Sequence, residues 1–462
     1  MRTERQKIQL ELALEPAAKG EARSADAQGT EARTARAEPE RPAAGQQPSM
    51  EAVVEPGNLK KALARVRRNK GAPGVDGMTV DELGAHLKAH WPEIRSRLLA
   101  GSYTPQPVRR VEIPKPSGGV RLLGVPTVLD RFIQQAAMQV LREEWDPGFS
   151  DASYGFRPGR SAHQAVKRAQ EHILAGFDFV VDLDLEKFFD RVNHDILMGL
   201  VAKRVADKRL LRLIRGFLTA GVLDGGLVGP TTKGTPQGGP LSPLLSNLML
   251  DVLDKELETR GHRFVRYADD CNLYVRSRRA GERVMASVTD FLARRLKLTV
   301  NAAKSAVDRP SARAFLGFSF TAGPTPQRVV SPKALARFKA RVRKLTRRTK
   351  RVSFTRLVEE LSRYLVGWRG YFGLCEVPYV LHRLDQWTRR RLRAVAWTHW
   401  KRGRTRFAAL RRRGVGKRLA AQAAGSAHGP WRISRSPALS VALPNAFFAR
   451  IGLASVVAGH AA

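Results

Sequence analysis

Cysteine is nearly absent from this chain. Cys271 and Cys375 are its only two in 462 residues, which excludes a disulfide scaffold and a Cys-rich zinc module. No apolar run approaches the length that spans a bilayer, and no signal-peptide pattern opens the chain. The expectation is therefore a soluble protein of a reducing cytoplasm with no membrane partner. Acid is also scarce: 42 Asp and Glu against 81 Lys and Arg leave a net charge of +39. An excess of that size points to a polyanionic partner, nucleic acid before membrane. It is unevenly spread. Residues 331–462 hold 30 bases and 4 acids, so +26 of the +39 lies there. No internal repeat is visible.

Taken in order, residues 1–48 are polar, carry eight acids and eight bases, and read as a disordered leader. Order is expected from about 49. Leu59, Leu63 and Val66 recur at helical spacing among bases, and the glycines of 71–77 end that helix. Residues 108–115 read as a strand, 116–119 as a hairpin turn and 120–123 as its return, with Lys115 and Arg121 flanking the turn. Helices are expected over 127–145 and 195–218, and a loop or hairpin over 221–232. Residues 234–240 form a Gly- and Pro-rich turn, after which Ser242 looks like a helix N-cap with Pro243 at the first helical position. A helix over 281–296 and a strand over 315–320 close the region at 323. Beyond 324 the pattern is helical and basic, over 333–350, 354–371 and 380–400. Trp368, Trp387, Trp397 and Trp400 should be mainly buried there, with Arg outward.

Two acidic features stand out. Asp269 and Asp270 sit between Phe264-Val265 and Leu273-Tyr-Val275, which reads as strand, tight turn and strand. Alone, this is equally a solvated Asp-Asp turn or a divalent-metal site. Upstream, an apolar run emerges at Asp182 and Asp184, which share one face of a strand. Carboxylates from two neighbouring strands could clamp the two metal ions that nucleotidyl transfer requires.

Tyr267-Ala-Asp-Asp270, the stretch from Asp184 to Phe189, and the run from Gly234-Thr-Pro-Gln-Gly-Gly-Pro240 to Asn247 together resemble a reverse transcriptase. More narrowly, the chain resembles the reverse transcriptase/maturase encoded by bacterial group II introns, in the form that lacks an endonuclease domain. Residues 69–77, Ile113-Pro-Lys-Pro116, Tyr154-Gly-Phe-Arg-Pro-Gly159 and Gly367-Trp-Arg-Gly-Tyr-Phe372 extend the likeness over about 50–455. It implies an α+β right-hand polymerase. Fingers and a palm with an antiparallel sheet would occupy 49–323, an all-helical basic thumb/maturase domain 324–420, and a short tail 421–462. It implies RNA-directed DNA synthesis with two Mg²⁺ ions, Mn²⁺ being the alternative, and help in splicing and mobility of the host intron. The partners would be intron RNA, an RNA template with a DNA primer, dNTPs and target DNA.

Residue by residue, the resemblance makes Asp184, Asp269 and Asp270 the metal carboxylates. Asp184 is preferred to Asp182 because the family carries an aromatic gate five positions on, and that position holds Phe189. Lys115 and Arg121 would meet the triphosphate. Gln237 and Gly238 would line the nucleotide pocket. Lys304 would neutralise or protonate the pyrophosphate, and residues 315–320 would grip the primer. Two other readings remain: a splicing-only maturase that keeps the polymerase fold as an RNA scaffold, and a domesticated or retron-type reverse transcriptase.

Overall fold

Runs of β-branched and aromatic residues set the strands: β1 (Val108–Pro114), β2 (Val120–Val125), β3 (Phe179–Leu183), β4 (Val222–Asp224), β5 (Leu227–Gly229), β6 (Arg263–Tyr267), β7 (Asp270–Val275), β8 (Ala306–Asp308), β9 (Phe318–Phe320) and β10 (Arg328–Val330). The computed structural model describes residues 47–114, 119–224, 227–235, 238–347 and 352–457. Most of the expected leader, together with Lys115 and Gln237, lies outside the described residues. The chain divides into two compact units at Arg309 and Pro310.

The first unit is built on an antiparallel sheet in the order β6-β7-β3-β8. Burial of one face is nearly complete, with Val181, Leu183, Leu273 and Phe264 in the core. The helix Arg278–Phe291 lies on the sheet, capped by Ser277, whose hydroxyl accepts from the Ala280 N–H. It comes close because Gly281 has no side chain: a Cβ there would stand 2.4 Å from Val307. The helix Ser242–Thr259 is buried along most of its length and adds Leu245, Leu248, Leu253 and Leu257 to the same core. A second sheet, β2-β1-β4-β5, pairs β1 with β4 in parallel and is otherwise antiparallel.

Two local expectations differ from the fold. The helix expected over 195–218 is two helices, His194–Ala202 and Lys208–Thr219. Asp207 causes the break, because its carboxylate accepts from the Arg209 and Leu210 N–H groups and starts a new helix. Ser242 is not a cap. Leu241 holds that position and Ser242 is the first helical residue, with Pro243 in the first turn.

The second unit opens with the β9–β10 hairpin and continues in helices Pro332–Leu345, Phe354–Phe372, Pro378–His399 and several shorter ones. Thus the strand over 318–320 belongs here, and β10 precedes the helices in the stretch expected to be all-helical. Trp368 and Trp397 are buried as expected, while Trp387 and Trp400 are half-buried. The arginines are mainly outward, as expected, and some also serve packing. Arg390 stacks 3.7 Å from the Trp431 ring centroid, Arg406 4.7 Å from Trp397 and Arg413 5.1 Å from Trp400. Each guanidinium covers an indole face, so part of the positive charge serves packing.

Candidate active site

The connection from β6 to β7 is two residues long, with Tyr267 paired to Asp270 across it. Ala268 takes a left-handed φ of 58° and is buried, so the chain turns there and Asp269 and Asp270 follow at the tip of the hairpin. The neighbouring strand β3 pairs Leu183 with Cys271, so Asp184 leaves the strand beside the same turn. Its backbone is fixed on both sides. The Asp184 N–H donates to Ser305 Oγ at 2.9 Å, and its carbonyl accepts from the Asn301 N–H at 2.8 Å. The strand ends and the turn are thereby brought together, as the two-strand reading required.

The electrostatics follow from that crowding. Burial raises Asp269 above the usual carboxylate range, with the charge of Asp184 adding to it and Arg121 opposing it. Burial, then Asp269, Asp182 and Asp184, push Asp270 up to about 7, and Lys304 pulls it down. Asp270 nevertheless keeps an open outer face. Solvent there weakens the push. Lys304 Nζ lies 3.0 Å from Asp184 Oδ2, an ion pair rather than an aligned hydrogen bond, and that enclosed oxygen makes no hydrogen bond.

Among the described residues, no three His, Cys, Asp or Glu side chains close on a single point in the manner of a finished metal cage. Hard carboxylate oxygens that repel one another are the donor set Mg²⁺ accepts, and Mg²⁺ is commonly held by one or two carboxylates with water and substrate phosphates.

The remaining candidates gather in two places. Phe189 is half-buried, edge-on to buried Phe188 at 5.2 Å, in the helical turn Phe188–Arg191. Its carbonyl accepts from the Thr235 N–H at 2.7 Å. Gly234, at φ 91°, leans on that carbonyl so closely that a Cβ would sit 2.9 Å away. Gly238, at φ 141°, leans on β2, where a Cβ would come 2.7 Å from the Gly124 oxygen. The glycine turn therefore spans from Phe189 to the strand carrying Arg121. Arg121 is exposed, and its charge reaches Asp269.

Five supporting residues carry no role in the sequence analysis: Arg266, Asp254, Asn247, Ser153 and Gly155. Arg266, 1% exposed, lies three positions before Asp269 and uses every N–H it has. Nε and Nη2 take both oxygens of fully buried Asp254; Nη1 donates to Asn247 Oδ1 and the Ala268 carbonyl, and Nη2 to Ser153 Oγ. Asn247 Nδ2 in turn donates to the Gly155 carbonyl at 2.8 Å. Gly155 backs the turn itself: a Cβ there would meet the Ala268 nitrogen at 2.2 Å. The available signals were a lone Arg inside an apolar strand and an Asp on the apolar side of a Leu-rich helix.

Two family models match the chain. Residues 113–320 match "Reverse transcriptase (RNA-dependent DNA polymerase)" and residues 335–414 match "Group II intron, maturase-specific domain". Protein YkfC of Escherichia coli strain K12 is 39% identical over 214 residues, 45% of this chain and 56% of that protein. The group II intron-encoded protein LtrA of Lactococcus lactis subsp. cremoris is 40% identical over 204 residues, 44% of this chain and 34% of that protein. The matched stretch thus spans about half of one curated relative and a third of the other. Among solved structures, a chain of a "Partial Cas6-RT-Cas1--Cas2 complex" aligns with a TM-score of 0.35 at 26% identity, covering 53% of this chain and 42% of that one.

Two outcomes are expected from the site's construction. Gly155→Ala must displace the turn's backbone and should cost about 1–3 kcal/mol, read as a lower thermal midpoint; an unchanged midpoint would show that the turn is not braced there. The raised value of Asp270 means that, without metal, stability falls as pH climbs from the ordinary carboxylate range through about 7. In EDTA at alkaline pH, Asp270→Asn should therefore raise the midpoint, by about 2–4 °C for roughly 1 kcal/mol after allowing for the open face. That gain should shrink on acidification, and Mg²⁺ should stabilise the parent protein more than the variant. A lower midpoint for Asp270→Asn in EDTA would contradict the account.

Proposed function

We propose, for a chain that carries a reverse transcriptase domain followed by a group II intron maturase-specific domain, that it copies RNA into DNA and binds the RNA of its host intron to assist splicing and mobility. The observation that carries this is the convergence of Asp184 with the Asp269-Asp270 turn beside Arg121 and the Phe189–Gly238 wall. The reverse transcriptase family implies dependence on a divalent metal, and the maturase-specific domain implies binding to intron RNA. No helix among the described residues is long and apolar enough to cross a membrane; we place the protein in the cytoplasm.

Asp184, Asp269 and Asp270 would hold two Mg²⁺ ions. When bound, such ions activate the primer 3′-hydroxyl and neutralise charge on the leaving pyrophosphate. The chain's own side chains do the rest. Arg121, with Lys115, grips the triphosphate of a dNTP through charge-assisted contacts. Lys304, paired with Asp184, would neutralise the departing phosphates. Phe189 presents its ring where a ribose 2′-hydroxyl would lie, and the glycines around Gln237 leave room for the nucleotide. The second unit, with most of the positive charge, binds intron RNA, whose own chemistry performs the splicing. RNA template, DNA primer and target DNA complete the set of partners.

Asp269→Ala should abolish primer extension on an RNA template and leave intron RNA affinity and splicing within about twofold, since chemistry and binding use different residues. Joint loss of both would mean that the carboxylates hold the fold rather than metal. Extension that survives the change would favour the splicing-only scaffold. Phe189→Ala should admit ribonucleotides, raising their use relative to dNTPs by about 100-fold if the ring is the barrier. Unaltered sugar discrimination in primer extension would remove Phe189 from that role.

A further inference from the structure

The far end of the central sheet carries a second concave site, of opposite charge. Arg263 and Tyr274 face each other there, about 13 Å from the carboxylate turn at the rise of a strand. An open recess of about 630 Å³ lies between this end of the hairpin and the helix Arg278–Phe291, within the usual size of ligand sites. Arg260, His262, Arg263, Arg276 and Arg283 line it, and no acid does. Its floor is apolar, from Tyr274, Val275 and Val284, with Phe177 at the side. The Arg276 guanidinium stands 5.4 Å from the Phe177 ring centroid.

Several guanidinium groups elsewhere in this unit meet carboxylates: Arg110 pairs with Asp224, Arg157 with Asp146 and Arg204 with Asp251. In the recess only Arg260 does so, with Glu256, while its Nη1 donates to Ser287 Oγ at 2.8 Å. Among the described residues no carboxylate lies within ion-pair distance of Arg263, Arg276 or Arg283. The positive field is felt beneath the floor. Burial, with Arg168 and Arg263 adding to it, lowers His172 to about 4. Burial and Arg260 lower His262 as well. Like charges held together without counter-charge favour an anion between them.

We propose that this recess binds the phosphodiester backbone of a single-stranded polynucleotide, with the guanidinium groups on its phosphates and a base against Phe177 and the apolar floor. Arginine forks match phosphate oxygens in pairs, and the lining holds four arginines and no lysine. The half-buried Phe177 ring beside them offers a base an apolar contact for which an acidic peptide has less use. The site rests on the reading that the chain binds nucleic acid, and it adds a contact in the polymerase unit, away from the carboxylates.

The test is fluorescence anisotropy of the full chain with a short labelled single-stranded RNA and the DNA of the same sequence, over a salt series. Arg263→Gln with Arg283→Gln should weaken binding about tenfold and reduce the salt slope by about 2. Removing the same charge from the exposed face of helix Leu83–Leu99, by Lys88→Gln with Arg95→Gln, should change affinity less than twofold. Arg276→Gln alone, expected to weaken binding about threefold, serves if the double variant melts early. Loss for RNA, for DNA or for both supports the site and says which strand it takes. No loss, equal loss in the control pair, or displacement of the RNA from the parent protein by polyglutamate but not from the recess variant would overturn it. If the parent protein extends primers and binds RNA while the recess variants match it, only this site falls. A parent protein that binds no RNA removes the broader reading too.

Discussion

The buried pair of Arg266 and Asp254 is the constraint on which the active-site turn depends. Two adjacent carboxylates at the tip of a hairpin repel each other, and a two-residue connection with a non-glycine residue at positive φ is strained. Something must hold the tip in place. Arg266 does so from inside, joining the Ala268 carbonyl to the helix Ser242–Thr259 and to the segment around Ser153. Burying both ions costs several kcal/mol each, offset only because all five guanidinium donors and both carboxylate oxygens are used. The pair is then worth little as net stability and a great deal as geometry. Removing either partner strands the other, at a typical cost of about 3–5 kcal/mol.

A second brace acts at the Phe189 turn. Gly234 and Gly238 are held at backbone angles and distances that a side chain would spoil, one against the Phe189 turn and the other against β2. The same loop therefore fixes a candidate sugar-discriminating ring and a candidate phosphate-binding strand with respect to each other. Backbone-to-backbone contact transmits position more faithfully than long side chains do, because few rotamers intervene. The glycines of this turn allow close approach between three elements.

How much of this was legible in the sequence depended on range. The hairpin around Asp269 and the strand ending at Asp184 follow a two-residue period, and both are where the pattern put them. Their adjacency was a conjecture that the β3–β7 ladder bears out. The helix break at Asp207 was readable but outweighed by continuous apolar spacing on either side. A buried Arg266 was signalled by its strand, but its partners were not readable, because they lie 12, 19 and 113 positions away. A period reports which face a residue occupies and says nothing of what waits there. The role of Gly155 was hidden for the same reason, since only the approach of Ala268 shows why a side chain is forbidden. Lys115 and Gln237 fall outside the described residues, so of the residues expected to meet the nucleotide the structure describes Arg121, Phe189 and Gly238.

Net charge overstates what the second unit can offer to RNA. Its arginines include Arg390, Arg406 and Arg413, laid over indole rings. Arg391 donates to the Thr346 carbonyl and Arg393 to that of Leu443. Guanidinium suits such places because it is weakly hydrated, planar and permanently charged. These groups rigidify the helices and still project positive potential, but a stacked or hydrogen-bonded guanidinium cannot also fork a phosphate with all its donors. Most of the unit's other bases are exposed, so it is a positively charged helical scaffold in which these few guanidinium groups serve packing. A stiff scaffold presents its remaining charges at fixed spacing, and fixed spacing lets a folded RNA be distinguished from an arbitrary polyanion.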